Sequence, residues 1–71
     1  MLEDCSSATV ISADLPKAAR GRLYDLGFNP GSSVVRVGRG PFGDPLLFTA
    51  KGRLVALRRR DAALVYCVKN Q

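Results

Sequence analysis

Apolar positions along this chain change their period twice, and each change marks an element. Thr9-Val10-Ile11 is β-branched and follows the polar run Cys5-Ser6-Ser7, which predicts a short strand ended by Asp14. Over residues 16–26 the spacing becomes helical. Leu15, Ala19, Leu23 and Leu26 recur every three or four residues on one face, with Arg20, Arg22 and Asp25 turned to water. Pro16 suits the first helical position. Gly21, inside that helix, costs about 1 kcal/mol relative to alanine, so it marks either close packing against another backbone or an uncompensated weak point. Gly27 is a natural left-handed terminator, and Pro30 blocks the helix from resuming.

Alternation then returns. Residues 33–37 read as a strand with Val35 and Val37 on one side and Arg36 on the other, followed by a glycine- and proline-rich loop over 38–45. Residues 46–50 and 53–58 are two more strands joined by Lys51-Gly52, a connection of hairpin length. Asp61-Ala62-Ala63 predicts one helical turn capped by its aspartate, before a last strand at 64–68. Five short strands cannot bury two faces as an open sheet in 71 residues. The pattern therefore predicts a mainly β fold: a small, strongly bent five-stranded barrel with one inserted helix, forming a single domain over 1–71. A chain of this length buries only about three-fifths of its unfolded surface, so its stability is marginal.

Composition narrows the functional classes. Hydrophobic content of 46% with 24% charged residues fits a folded domain and not a disordered one. No apolar run approaches the roughly 20 residues of a bilayer span, and Glu3 and Asp4 stand where a signal peptide carries basic residues. A cytoplasmic location without membrane insertion is expected. Eleven Lys and Arg against six Asp and Glu leave +5, which attracts nucleic acid, anionic lipid or an acidic protein face. The absence of histidine removes Ser-His and Cys-His pairs, and lone cysteines in place of a Cys-x-x-Cys pair offer few transition-metal ligands. No catalytic residue, metal ligand or cofactor is expected, and the chain does not read as an enzyme. Cys5 and Cys67 read as structural thiols, with a single staple between the chain ends left open.

The remaining features divide between geometry and contact. Asp14, Asp25, Asp44 and Asp61 sit at helix ends or turns, where each has hydrogen-bonding work of its own. The Gly38-to-Gly43 stretch resembles a phosphate loop only superficially, because it joins two strands with no helix N-terminus behind it. Arg58-Arg59-Arg60 reads as a solvated strand end before it reads as a phosphate contact, since no aromatics are interleaved. Phe28 and Phe42 are large apolar side chains on turns. Core packing is the default for each, but together with Asp44 they are the candidate partner-binding residues.

Three ordered motifs carry a resemblance. Through Arg22-Leu23-Tyr24-Asp25-Leu26-Gly27-Phe28-Asn29-Pro30-Gly31, Pro41-Phe42-Gly43-Asp44-Pro45-Leu46 and Ala56-Leu57-Arg58-Arg59-Arg60-Asp61-Ala62, the chain resembles the ferrous-iron transport protein A (FeoA) family along its whole length. Leu2-Glu3-Asp4-Cys5 and Ala8-Thr9-Val10-Ile11 match the family's opening turn and first strand, although the link from Cys5 to Ala8 is a few residues short and lacks the usual glycine. The resemblance implies a small SH3-like barrel with an inserted helix. It also implies a non-catalytic accessory of ferrous-iron uptake acting in the cytoplasm with the FeoB membrane transporter. The same domain type forms the C-terminal module of iron- and manganese-responsive repressors, but without a helix-turn-helix segment here a free-standing accessory is expected. Direct iron binding has only the family's role behind it. The alternative is a basic, nucleic-acid-binding SH3-like barrel.

Overall fold

The computed structural model describes residues 1–70. A 3-10 turn, Leu2–Asp4, opens the chain and buries Leu2 completely. Cys5 is already extended (φ −108°, ψ 137°), so the chain passes almost directly into β1, Ser7–Ala13. The shortened lead-in is absorbed there without a glycine. Strand β1 is longer than its β-branched centre predicts, because flanking serine and alanine continue the ladder.

Pro16 sits at the N-cap of α1 (Lys17–Leu23) with extended backbone, so the helix starts one residue later than expected. Residues Tyr24–Phe28 then widen into a π-type turn containing Gly27 at φ 109°. Two demands meet at that glycine. Its backbone lies in the left-handed region, and a Cβ there would stand 3.0 Å from the Ala50 Cβ. The turn swings Phe28 inward, where it is 0% exposed and meets the Phe48 ring edge to face at 5.7 Å and 88°.

Strands β2 (Ser33–Arg39), β3 (Leu46–Ala50), β4 (Arg53–Leu57) and β5 (Val65–Lys69) join β1 in one antiparallel sheet of order β4-β3-β2-β1-β5. The β3–β4 hairpin turns on Lys51 and Gly52, both at positive φ (52° and 77°), as its length predicts. The register shifts between Val10 and Ser12 and between Arg36 and Gly38, irregularities of the kind that bend a sheet. Among the described residues no ladder joins β4 to β5. Both edges nevertheless feed one core, β4 through Val55 and Leu57 and β5 through Val65, so the sheet curls without closing its hydrogen bonding. The expected five strands and one principal helix are present.

Val35 and Val37 do share a side of β2, but it is the solvent side, while Val34 points into the core. Gly21 resolves in favour of the weak point, since a Cβ added there meets nothing within 4 Å. Gly21→Ala should therefore raise stability by about 1 kcal/mol in urea denaturation. Phe28→Ala should remove about 3–5 kcal/mol, most of what a domain of this size has, and appear as loss of the cooperative transition.

Candidate functional site

The loop between β2 and β3 is the most constrained piece of surface. Residues Pro41–Gly43 make a tight turn closed by the Gly43 N–H donating to Gly40 O at 3.1 Å and tied at its base by the Gly40 N–H donating to Pro45 O at 2.7 Å. A side chain at Gly40 would collide with Asp44 O and Pro45 Cδ, both 2.8 Å from its Cβ. At the tip, Phe42 takes φ 63° and ψ 17°, a left-handed conformation that costs a non-glycine residue roughly 1–2 kcal/mol. Its ring is fully exposed (106%), so no burial offsets that strain.

Asp44 holds the loop in place. Its Oδ1 accepts the backbone N–H of Arg59 at 3.1 Å, and Oδ2 lies 4.0 Å from an Arg58 Nη1. Arg59 is the first residue of α2 (Arg59–Ala62), so an aspartate 15 residues upstream caps this turn. Asp61, the expected cap, is helical itself and donates its N–H to Arg58 O. The arginine run accordingly sits at a helix start and not at a strand end. Arg58, Arg59 and Arg60 are all exposed, as is Arg39, whose side chain together with that of Arg59 flanks Gly43. Phe42 thus projects beside a basic rim.

Between α1 and α2 residues lies an open groove of about 250 Å³ lined by Leu15, Ala19, Leu23, Leu26 and Leu57, with Arg22 and Asp61 among its walls. The apolar face of α1 is therefore only partly used by the core: Leu23 is buried, whereas Leu26 is 41% exposed. The helical spacing picks out that stripe, but nothing local indicates that Leu57 and Asp61 complete a groove with it.

Of the three candidate contact residues, Phe42 and Asp44 share the β2–β3 loop, and Phe28 lies in the core. The Phe28 side chain has no exposed surface, because the turn after α1 carries it against Phe48, so its ring is part of the core. Among the described residues no group of three or more Cys, Asp or Glu side chains could hold a metal ion. No buried side-chain polar atom among them lacks a hydrogen-bond partner.

The FeoA domain model matches residues 1–69. The chain belongs to the FeoA family. Solved FeoA proteins share its architecture. That of Stenotrophomonas maltophilia, determined with zinc and described as an SH3 domain protein and candidate ferrous iron transport activating factor, is 36% identical with a TM-score of 0.78, over 94% of this chain and 87% of that one. FeoA from Chlorobium tepidum gives a TM-score of 0.85 at 30% identity over 93% of this chain and 66% of that one. Iron(II) transport protein A from Clostridium thermocellum gives 0.79 at 27% identity over 87% of this chain and 38% of that one. This chain thus spans less than two-thirds of the length of the last two. The SH3-like fold expected of the FeoA resemblance is the fold it has.

Two substitutions test the loop geometry. Phe42→Gly should raise stability by up to about 1 kcal/mol, because it relieves the left-handed strain and uncovers nothing. Asp44→Ala should lower it by about 1 kcal/mol through loss of the α2 cap, both read as shifts of the urea midpoint.

Proposed function

We infer that this FeoA-family chain is a cytoplasmic, non-catalytic accessory of ferrous-iron uptake that docks onto the cytosolic part of a FeoB-like membrane transporter. The observation that carries this reading is Phe42: a large aromatic held in a strained backbone conformation, wholly in solvent, on a loop braced by Gly40 and Asp44. The backbone strain costs stability, the exposed ring contributes no burial energy to the fold, and a partner pocket that buries the ring would gain that energy on binding. Phe42 is the contact residue, and Asp44 positions it. The +5 charge and the arginine rim favour an acidic partner face and faster encounter. No described helix is long and apolar enough to cross a membrane.

Titration calorimetry against the isolated cytosolic domain of the transporter, in its nucleotide-free, GDP and GTP-analogue states, tests the proposal. Binding in at least one state is expected, weakened roughly tenfold or more by Phe42→Ser with thermal stability retained. Absence of heat in every state overturns it. The exposed Phe42 ring on a loop whose next residue, Gly43, lies against the Arg39 and Arg59 side chains also favours the alternative of nucleic-acid binding, because aromatic and cationic groups on one surface are what single strands require. That alternative predicts affinity for single-stranded RNA or DNA that falls steeply with added salt, and undetectable binding at low salt removes it.

A further inference from the structure

Cys5 and Cys67 are 62 residues apart in sequence, yet their Sγ atoms lie 3.7 Å apart. Neither belongs to the surface around Phe42. Cys5 follows the N-terminal turn and is 7% exposed, with a weak thiol contact to Met1 O at 3.6 Å. Cys67 lies on β5, opposite Val10 of β1, and is partly exposed. A disulfide bond is about 2.05 Å long, so closure asks for less than about 2 Å of sulfur movement. Cys5 is not held in a strand ladder and can supply it. Burial first, then the hydrogen bond with Cys5, pushes the Cys67 thiol above its ordinary range.

We propose that Cys5 and Cys67 are a modification site: they form a reversible intramolecular disulfide that staples the N-terminal turn to β5 when a small-molecule disulfide of the glutathione class is in excess over its thiol. The Cys67 thiol, the accessible one, loses its proton and attacks one sulfur of the oxidant. An S–S bond to Cys67 forms, the oxidant's own S–S bond breaks, and one thiolate leaves and takes up that proton. The deprotonated Cys5 sulfur then attacks the Cys67 Sγ, expelling the second thiolate, which takes up the Cys5 proton. Two protein thiols are oxidised by two electrons, and one disulfide is reduced to two thiols. Three contacts make the stapled turn consequential for the fold. Leu2 is a fully buried core residue, the Glu3 carbonyl accepts a hydrogen bond from Arg36 Nη1 at 3.2 Å, and Asn70 at the other end of the chain donates its N–H to Ser7 O. Oxidation would hold this seam between the two chain ends shut.

The test equilibrates the full chain in glutathione buffers of increasing oxidised fraction, quenches it, alkylates it under denaturing conditions and weighs it. The expected product is a monomer lighter by two hydrogens with neither cysteine alkylated. Its Tm should rise by about 10 °C or more, since the cross-link encloses nearly the whole chain, and amide exchange at Asp4 and Cys5 should slow. Dithiothreitol should reverse all three changes. Cys5→Ser should stop at a glutathione adduct on Cys67. Full alkylation of both cysteines in the most oxidising buffer, a persistent mixed disulfide in the wild-type chain, or a covalent dimer as the main product overturns the proposal.

Discussion

The edge-to-face contact of Phe28 with Phe48 is the interaction on which the other features depend. A 71-residue chain has room for one core, and these two rings are its largest fully buried side chains. Seating Phe28 requires the chain to leave α1 sharply, which only a left-handed residue achieves. It also requires that residue to pass close to Ala50, which only a glycine beside an alanine permits. Gly27, Phe28 and Ala50 are in this sense one constraint. From it follows the backbone pairing of Gly31 and Ser32 with Val10, and with that the launch of β2 alongside β1.

A core satisfied this way leaves function to the surface. The sheet keeps its inward rows apolar and tolerates exposed valines and Leu54 outside, and α1 gives only part of its apolar stripe to the interior. What distinguishes the loop around Phe42 from these scattered exposed residues is that it is exposed and strained together, and pinned from both directions. Gly40 closes its base, and Asp44 reaches across to the first N–H of α2. Binding residues on a rigidly supported loop are the arrangement by which a small scaffold presents a specific surface without giving up its core.

The chain ends form a second structural unit. The opening turn, the start of β1 and the end of β5 meet through Asn70 and Ser7, through Thr9 donating to Asn70 Oδ1 at 3.0 Å, and through the two thiols. In a sheet whose ladder does not close between β4 and β5, this seam contributes to holding the bend. A covalent bond at Cys5 and Cys67 would tie the opening turn to the β1–β5 ladder.

Local chemistry in the sequence determined the elements. The switch from alternation to helical spacing placed α1, Gly27 and Pro30 marked its end, Lys51-Gly52 set a hairpin with both residues at positive φ, and the ordered motifs identified the family. These are short-range matters of backbone freedom and side-chain period, and the residues that decide them are neighbours. The tertiary structure alone decided which of two loop phenylalanines is core and which is surface. Phe28 and Phe42 both sit beside glycine on turns, and only the position of Phe48 across the sheet distinguishes them. It likewise assigned the α2 cap to Asp44 instead of Asp61, joined Leu57 to the stripe of α1, and brought Cys5 to Cys67. Each of these is a meeting of residues far apart in the chain, and distance in space is set by how the whole sheet bends around one core.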